Sequence, residues 1–464
     1  MPALTRLARR ATSAFRALER VTRPQDPEVA AALRQRWAEL PPHVKHRSQT
    51  IGQRIAGCEG THGVFPRCDF ACTPCYHSRD ANKVRIDGEH TVSEIGRQME
   101  FTRRVRGPGQ YAQLIGGEVS LLGPDDHAAA LAAMLEHERK PMSFTHGDFD
   151  YDYLRRLALN PDGSRRFDAL AFAAHFDSMM FGRRGIPLPA DERSLNPFRA
   201  RFCAMFARLR REHGVKSHLA HNYTVTPRNV AQIPEVLRTA GRFGFHMFSF
   251  QPAAFVGNER RWKDDYGALS ADAVWSRIEA GAGGRLPYRL FQTGDERCNR
   301  AAYGGWVGSR WVALADDRDP RDLRMRSALF GTLRGIDLAA PPAVAAARLT
   351  RAFARRPSSV PIALGWSVRF ARRAGLRELM RHGFAPVTLV MHRFMDAADV
   401  GEAWDAMENG DEISDERIRE TRERLEACSY HFSHPETGRL IPACAQHAVF
   451  DPEENARLAR ELPL

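Results

Sequence analysis

The sequence predicts an α/β fold in which six strand–helix units curl into a partial barrel, followed by an α+β C-terminal extension. The first observation is a repeated alternation of short apolar runs and helical segments, which begins near residue 62 and continues to about residue 255. The second is that polar residues cluster where each predicted strand ends. Alternation of this kind implies a parallel sheet with right-handed crossovers, and such barrels carry their working residues at the carboxyl ends of the strands.

The six units are defined by their strands and by the capping signals of their helices. The predicted strands are Gly63–Pro66, Tyr111–Ile115, Pro141–Phe144, Phe167–Ala174, Ser217–Val225 and Phe245–Phe250. The predicted helix starts are the capping box Thr91-Val-Ser-Glu94, Asp125 or Asp126, about residue 150, Asn196-Pro197 and Thr226-Pro227.

The pattern divides the 464 residues into three segments. Residues 1–56 form an amphipathic helix and a polar lead-in, residues 57–260 form the partial barrel, and residues 261–464 form the extension. The predicted elements of the extension are a hairpin at Trp306–Leu314, a strand at Pro386–Met395 and a capped helix at Asp451–Leu462.

Composition narrows the class of protein. Hydrophobic residues make up 43% and charged residues 27%, which is typical of a folded soluble chain. The net charge of +12 comes from arginines spread along the whole length, and no nucleic-acid-binding motif is present, so we expect no nucleic-acid partner. The sequence has no secretory signal and no run of about 18 apolar residues, which predicts a reducing, cytoplasmic location.

The N-terminal segment leaves two interpretations open. Residues 4–21 place Leu4, Leu7, Phe15 and Leu18 on one helical face, and arginines lie mostly around the rest. Such a helix can lie on an anionic membrane surface, which would make the protein peripheral to the inner face of the membrane. It can equally dock on the body of the protein itself.

Three cysteines, Cys68, Cys72 and Cys75, are spaced Cys-x3-Cys-x2-Cys directly after the first predicted strand. A disulfide framework needs an even number of cysteines, and a mononuclear zinc site usually has four protein ligands. Three closely spaced thiolates suit a cubane iron–sulfur cluster, in which the protein holds three irons and leaves the fourth open. A zinc knuckle built from Cys58, His62 and two of the loop cysteines is the main alternative.

Gly116-Gly117-Glu118 ends the second predicted strand, one unit after the cysteines. Together the two motifs resemble the radical S-adenosylmethionine (radical SAM) enzymes, and the resemblance covers residues 60–255. It implies a partial barrel of the radical SAM type, with a 4Fe–4S cluster on the three loop cysteines and S-adenosylmethionine on its open iron. An electron from the cluster would break the carbon–sulfur bond of S-adenosylmethionine, and the resulting 5′-deoxyadenosyl radical would take hydrogen from a substrate. The resemblance therefore implies an oxidoreductase or a transferase, with a ferredoxin or flavodoxin as reductant.

The resemblance also implies contacts with S-adenosylmethionine. The backbone of Gly116, Gly117 and Glu118 would meet its ammonium group, because two glycines let the main chain come close. Asn222 and Gln251, at later strand ends, are the candidates for contacts with ribose, carboxylate or adenine. The sequence departs from the family at Pro74, where an aromatic residue commonly precedes the third cysteine, so adenine packing is expected to differ.

A second iron–sulfur cluster is a further expectation. Cys298, Cys428 and Cys444 lie in polar, loop-like segments of the extension, unlike Cys203, which is expected to pack in the core. Many radical SAM enzymes carry an auxiliary cluster in a C-terminal addition. The candidates to complete its ligand set are Cys58, His434, His447 and a substrate.

The substrate stays open between two classes. A lipid or isoprenoid is one, because Phe250-Gln251-Pro252 and the Cys428/Cys444 tail look loosely similar to lipid-modifying members, and the basic, apolar stretch Val360–Phe384 suits a membrane surface. A peptide, modified with the help of an auxiliary cluster, is the other. A zinc- and nucleic-acid-binding protein is the alternative from outside the enzymes. The histidines that could relay protons or be structural are His146, His175, His221 and His392.

Overall fold

The computed structural model describes residues 12–13, 15–336 and 340–464. It has a mixed α/β fold with a ten-stranded, largely parallel sheet, in the order β15-β14-β1-β3-β4-β5-β7-β8-β13-β9. The strands of this sheet are β1 (Cys58–Gly60), β3 (Tyr111–Leu114), β4 (Lys140–Thr145), β5 (Ala169–His175), β7 (Lys216–Val225), β8 (Met247–Pro252), β9 (Asn299–Ala302), β13 (Thr388–His392), β14 (Tyr430–His434) and β15 (Arg439–Pro442). The remaining strands are β2 (Ala71–Cys72), β6 (Met180–Phe181), β10 (Gly304–Val307), β11 (Arg310–Ala313) and β12 (Ala385–Pro386).

Helices follow the central strands and cover the sheet. They are α1 (Pro27–Glu39), α2 (Gly88–Arg106), α3 (Pro124–Glu136), α4 (Tyr151–Ala158), α5 (Asn196–His213), α6 (Ile233–Ala240), α7 (Ala271–Ala282), α8 (Pro320–Leu333), α9 (Pro342–Arg355), α10 (Ser359–Ala374), α11 (Leu376–His382), α12 (Ala397–Asn409), α13 (Glu416–Glu426), α14 (Ala443–Ala445) and α15 (Asp451–Glu461).

The strands β1, β3, β4, β5, β7 and β8 are neighbours in sequence order, and each pair is parallel. This is the arrangement that the strand–helix alternation predicts. Strands from residues beyond 260 extend the sheet at both sides, since β13 runs parallel to β8 and β14 parallel to β1. The division at residue 260 and the six-unit barrel therefore stay predictions.

The two edges of the sheet approach each other. Asn299, which begins the edge strand β9, donates from Nδ2 to Ser429 Oγ at 3.2 Å, and Ser429 directly precedes β14. Ten flat strands would extend about 40 Å, because neighbouring strands are about 4.8 Å apart. The sheet must therefore curve strongly to bring these two residues together.

The interior beneath the helices is mainly aromatic and aliphatic. Phe172, Phe202, Phe206, Phe248 and Phe250 are completely buried in one continuous core. Edge-to-face and tilted ring pairs link them, such as Phe172–Phe206 with centroids 5.1 Å apart. This core holds the central strands and helices in fixed positions, and so positions the loops at the strand ends.

Several predicted boundaries are wrong. The first strand is Cys58–Gly60, and residues 63–66 are an irregular segment that enters the cysteine loop. The helix α2 begins before the predicted capping box, because Asp87 caps it by accepting from His90 N at 3.0 Å. Thr226 does not open a helix: its backbone N–H donates to Asn229 Oδ1 at 2.8 Å in a turn, and α6 begins at Ile233.

Two smaller corrections concern the other helix starts. Asp125 and Asp126 lie in the first turn of α3, and Gly123 occupies its cap position. Asn196 is the first residue of α5, directly after a short 3-10 turn at Arg193–Leu195.

The predicted hairpin of the extension is confirmed, since β10 and β11 pair in antiparallel register from Gly304↔Ala313 to Val307↔Arg310. Half of the predicted N-terminal helix, residues 4–11 and 14, lies outside the described residues, and residues 15–22 are helical. Arg348 Nε donates to Val21 O at 3.1 Å, so this segment lies beside α9. In the part of the chain that the structure describes, no helix combines the length and apolar character needed to cross a membrane.

Candidate metal and cofactor site

A cavity opens at the carboxyl ends of the central strands. The space within it, including its open mouth to solvent, is about 890 Å³. Its walls come from the cysteine loop, from the ends of β4, β5, β7 and β8, and from the segment after β13. The lining residues are Cys68, Cys72, Pro74, Cys75, Tyr76, His77, Gly117, Glu118, Phe144, Thr145, His146, His175, Met180, Thr224, Gln251, Pro252, Ala253, Ala254, Val256 and Phe394.

The cysteine loop is fixed to its surroundings at several points. Strand β2, which contains Cys72, pairs with β6 in antiparallel register. The backbone N–H of Cys68 donates to Asn82 Oδ1 at 2.9 Å. Between them, Asp69 Oδ1 lies 2.8 Å from His146 Nε2, which ties the loop to the end of β4. These contacts hold the three thiols at one wall of the cavity.

Aromatic and cationic contacts reinforce this attachment. The ring of Phe70 stacks on His146 with centroids 3.8 Å apart, and the Arg183 guanidinium lies 5.2 Å from the Phe70 centroid. Arg183 Nη2 also donates to His146 O at 2.7 Å. His146 is therefore held between the loop and Arg183, and it has a positioning role for the loop.

Gly117 is required because two stretches of backbone meet there. Its N–H donates to Phe65 O at 2.7 Å, and the N–H of Glu118 donates to Arg67 O at 2.9 Å. A Cβ on Gly117 would lie only 2.0 Å from Arg67 O, which no side chain can tolerate. The glycine therefore allows the segment entering the cysteine loop to lie directly against the end of β3.

Gly116 and Glu118 make contacts of different kinds. The Gly116 carbonyl accepts from Tyr76 Oη at 3.0 Å and also contacts His77 Nε2, and Gly116 does not line the cavity. The Glu118 carboxylate accepts from Thr145 Oγ1 at 2.6 Å and from the His146 N–H at 2.7 Å. Of the predicted triplet, Gly117 and Glu118 border the cavity, and the carboxylate of Glu118 fixes the end of β4.

The two predicted residues of the later strands differ in position. Gln251, at the end of β8, lines the cavity. Asn222 is buried behind the wall, with Nδ2 3.0 Å from Nε2 of His175, and His175 is the residue that lines the cavity. Thr224, two residues further along β7 on the same face, reaches the cavity instead.

Sequence reasoning missed Thr224 and Phe394 as lining residues. The period of two along a strand could have identified Thr224, because it shares the face of Asn222 and lies nearer the strand end. No sequence pattern indicates Phe394. The pairing of β13 with β8, which are distant in the sequence, brings it to the cavity.

Burial controls the protonation of the groups around the cavity. It raises the pKa of Cys68, Cys72 and Cys75, with the neighbouring acidic groups adding to the effect at Cys68 and Cys72. The guanidinium of Arg261 lies beside Cys75 and acts in the opposite direction on the pKa of that thiol. Burial also lowers the pKa of His77 and of His175 to about 4, so both imidazoles are neutral at pH 7.

The donor set suits a cluster better than a single zinc ion. Thiolates on one zinc stand about 3.8 Å apart, since each Zn–S bond is about 2.3 Å and the geometry is tetrahedral. Among the described residues, the three loop thiols do not form a set whose sulfurs all lie within 4.8 Å of one another. Cys68, Asp69 and His146 do form such a set, but the Asp69 carboxylate and His146 already bind each other.

A second group of thiols lies where the two sides of the sheet meet. Burial, together with the neighbouring thiols of Cys428 and Cys298, raises the pKa of Cys444 to about 12. Burial likewise raises the pKa of Cys58 to about 11, with Glu59 and Cys428 adding to the shift. Charge interactions therefore link the thiols of Cys298, Cys428 and Cys444. The Cys58 N–H donates to Ser429 O at 2.8 Å, which places Cys58 beside the residue that follows Cys428.

Cationic side chains accompany this second group. Arg424 is almost fully buried and donates from Nε to Cys298 Sγ at 3.2 Å. Arg36, also buried, donates from Nη2 to Cys428 O at 2.8 Å. Buried cations beside thiols stabilise negative charge on sulfur, as a metal–thiolate site requires.

The two histidines proposed to complete the second group bond to other side chains, His434 through both ring nitrogens and His447 through Nδ1. His434 has Nδ1 at 3.0 Å from Glu436 Oε1 and Nε2 at 2.6 Å from Gln446 Oε1. His447 Nδ1 lies 2.6 Å from Asp451 Oδ2. Cys58 is thus the candidate that the structure places beside the other thiols.

The alternative zinc knuckle is not assembled. His62 has Nδ1 at 2.8 Å from Glu454 Oε1 and Nε2 at 2.7 Å from Ser433 O, so neither ring nitrogen is available to a metal. In the described part of the chain, His62 and Cys58 do not join the loop cysteines in any set of close ligand atoms.

Three other residues make contacts outside the two thiol groups. Cys203 is buried in the main core, as predicted. His221 accepts from Arg199 Nε at 3.0 Å, and His392 Nδ1 lies 2.6 Å from Asn299 Oδ1. None of the three lines the cavity.

Comparison with known proteins finds similar chains among solved structures alone. No protein-family model matches the chain, and no curated protein matches it. Among solved structures, native anSMEcpe with bound AdoMet is 14% identical with a TM-score of 0.30, over 48% of this chain and 57% of that chain. A polyhistidine-tagged form of anSMEcpe with bound AdoMet is 13% identical with a TM-score of 0.29, over 43% and 50%. Native anSMEcpe with AdoMet and the Kp18Cys peptide is 14% identical with a TM-score of 0.30, over 48% and 58%. The chain spans about half the length of these structures, and the overlap is too low to establish a common fold. What the fold and the site define is an α/β protein with a thiol-lined cavity at the carboxyl ends of parallel strands.

Proposed function

We propose that the protein is a radical SAM enzyme that binds a 4Fe–4S cluster through Cys68, Cys72 and Cys75. The observation that carries the proposal is the convergence of these three thiols, Gly117 and Gln251 on one cavity at the carboxyl ends of the central strands. Three thiols without a fourth protein ligand leave one iron open to a small molecule. When bound, the cluster and S-adenosylmethionine would supply one-electron cleavage of a carbon–sulfur bond and a 5′-deoxyadenosyl radical.

The chain's own residues would bind, orient and shield these groups. We expect the backbone of Gly117 and Glu118, which borders the cavity, to contact the ammonium group. The side-chain amide of Gln251 can donate and accept hydrogen bonds at the opposite wall. His175 is neutral at pH 7 and is held by Asn222, so it can bind a ligand without adding charge.

The apolar part of the wall would exclude water from the reacting atoms. Phe144, Met180, Val256 and Phe394 line the cavity. Exclusion of water protects a reactive intermediate from side reactions. The same residues favour an apolar substrate, and we therefore propose a lipid or isoprenoid; a peptide that presents an apolar side chain is the alternative.

We further propose that Cys298, Cys428 and Cys444 hold an auxiliary iron–sulfur cluster, with Cys58 as the fourth ligand. The proximity of these thiols and the two arginines beside them support the proposal. Phe394 lines the cavity, and the backbone of the next residue, Met395, contacts the Cys444 thiol. The second group therefore lies next to the proposed substrate space.

Iron and acid-labile sulfide counting on anaerobically purified protein tests both cluster proposals. Two 4Fe–4S clusters correspond to about eight irons and eight sulfides per chain. We expect Cys72→Ala with Cys75→Ala to remove one cluster, and Cys428→Ala with Cys444→Ala to remove the other. Zinc without sulfide would refute both proposals, and a content of about four irons that only the loop variant abolishes would refute the auxiliary cluster alone.

A further inference from the structure

The helix α10 has two apolar faces. Its inner face places Ile362, Trp366 and Phe370 against buried residues of the extension. Its outer face exposes Val360, Leu364 and Val368, which are 39%, 64% and 50% exposed. These three residues are four apart in sequence and form one stripe along the helix. A surface helix needs only one apolar face to pack, so the second face is available to a partner.

The next helix, α11, also exposes apolar residues. Leu376 and Met380 of α11, again four residues apart, are 60% and 76% exposed. Scattered exposed apolar residues are normal on a protein surface, but a contiguous patch marks an interaction site. The three outer residues of α10, one turn apart, form such a patch, and α11 adds two more exposed apolar residues.

The surroundings of the patch are strongly basic. Between residues 340 and 384 the only acidic residue is Glu378. Arg372, Arg377 and Arg381 are exposed and have no ion pair among the described residues. The basic residues of this segment are Arg348, Arg351, Arg355, Arg356, Arg369, Arg372, Arg373, Arg377 and Arg381, of which Arg369 and Arg373 pair with the buried Asp322.

We propose that the outer face of α10 and α11 docks on an anionic membrane surface. Leucine, valine and methionine side chains would enter the boundary between headgroups and acyl chains, and the arginines would contact the headgroups. A second copy of the chain fits less well, because two such faces would bring like charges together. Nucleic acid would satisfy the arginines but would leave the apolar stripe without a function.

The docking face lies away from the cofactor cavity. Arg310 of the hairpin donates from Nη2 to Ala374 O at 3.0 Å at the end of α10. Trp311 of the same hairpin donates from Nε1 to Val387 O at 3.0 Å, directly before β13 begins. The hairpin and α10 thus lie near the amino ends of the strands, opposite the cavity. The face would anchor the protein, and its binding does not depend on the proposed enzymatic function.

The N-terminal segment also exposes apolar residues. Phe15, Leu18 and Val21 are 65%, 59% and 48% exposed, and their segment lies beside α9 through the contact of Arg348 with Val21. α9 directly precedes α10 in the chain. The segment therefore contacts the protein and still exposes apolar residues. Docking on the protein and docking on a membrane are both compatible with its amphipathic pattern.

Co-sedimentation of the full chain with vesicles tests the proposal. We expect binding to vesicles that contain about 30% phosphatidylglycerol, weak binding to pure phosphatidylcholine, and release at high salt. Leu364→Glu with Val368→Glu should lower the bound fraction at least tenfold. The matched control is Leu188→Glu, which changes a 74% exposed leucine elsewhere and should bind like the wild type.

A second variant separates the charge contribution from the apolar one. Each arginine near an anionic surface contributes a factor of about 5, so Arg372→Gln, Arg377→Gln and Arg381→Gln together should weaken binding on the order of 100-fold. These side chains are exposed, so circular dichroism should show an unchanged fold. Equal binding of the wild type and of both multiple variants would overturn the proposal. A second result would also overturn it: the wild type does not bind vesicles, and the leucine and valine variant loses a dimer that the wild type forms. The face would then join two copies of the chain.

Discussion

Replacing Gly117 by alanine tests the close approach on which the candidate site depends. The added methyl group would lie 2.0 Å from Arg67 O and 2.5 Å from Pro66 O, both backbone atoms that cannot rotate away. An ordinary contact between these atoms needs about 3.4 Å, so the loop entrance would have to move by more than about 1 Å. The three thiols lie on this loop, so the change reaches the cavity directly.

The expected loss of stability follows from the hydrogen bonds that such a shift breaks. The Gly117 N–H to Phe65 O and Glu118 N–H to Arg67 O hydrogen bonds, at 2.7 and 2.9 Å, would both lengthen. Each buried bond contributes about 1 kcal/mol, and an unsatisfied buried partner adds about 1–3 kcal/mol. We expect Gly117→Ala to lower the free energy of unfolding by about 2–4 kcal/mol and to lower the iron content of the loop site.

The assay is urea denaturation followed by circular dichroism, together with iron and sulfide analysis after anaerobic purification. Gly96→Ala is the matched control, because nothing lies within 4 Å of a Cβ added at this position in the middle of α2. The control should be neutral or stabilising by up to about 1 kcal/mol, since alanine favours helix more than glycine does. Wild-type stability and wild-type iron content in Gly117→Ala would refute the reasoning.

Three further predictions concern the core, pH and the cofactor. Arg199→Met should lower the free energy of unfolding by about 3–5 kcal/mol in denaturant titration, because Glu192 loses its buried partner at 2.6 Å. Arg208→Met removes a surface ion pair with Glu212 and should lower the same free energy by under about 1 kcal/mol. Burial lowers the pKa of His127 to about 3, whereas the imidazole of the unfolded chain binds a proton below about pH 6.5. Because the unfolded state then binds more protons, His127 lowers the free energy of unfolding as pH falls from 6.5 towards 3. His127→Gln should therefore reduce the slope of stability against pH by up to about 1.4 kcal/mol per pH unit in thermal melts. Gln251→Ala should raise the Kd for S-adenosylmethionine about tenfold in calorimetry, and an unchanged Kd would remove Gln251 from the site.

The parallel order of the central strands could be predicted from local pattern, but the first strand could not. The alternation of apolar runs and helical segments places five strands within a few residues of their observed bounds. The strand β1 has only the residues Cys-Glu-Gly, and Glu59 is a poor strand former. Its burial depends on Arg139, whose Nη1 lies 3.0 Å from the Glu59 carboxylate across 80 positions of sequence. No local signal shows such a partner.

The sequence predicts the parts of the candidate site that are local motifs, but it does not predict the parts that depend on contacts between distant residues. Spacing alone indicates that Cys68, Cys72 and Cys75 act together. The approach of Cys58 to Cys428 arises only because β1 pairs with β14, which joins the start of the predicted barrel to the end of the chain. Polarity at a strand end favours Asn222, but the cavity wall is reached one pleat later, at Thr224.

Formation of 5′-deoxyadenosine tests the central claim most directly. Anaerobically purified protein is incubated with S-adenosylmethionine and dithionite, and the products are separated by chromatography. We predict 5′-deoxyadenosine from the wild type and from Cys203→Ala, whose thiol lies in the core, and none from Cys72→Ala. No 5′-deoxyadenosine from an iron- and sulfide-containing wild type, or equal amounts from wild type and Cys72→Ala, would contradict the account.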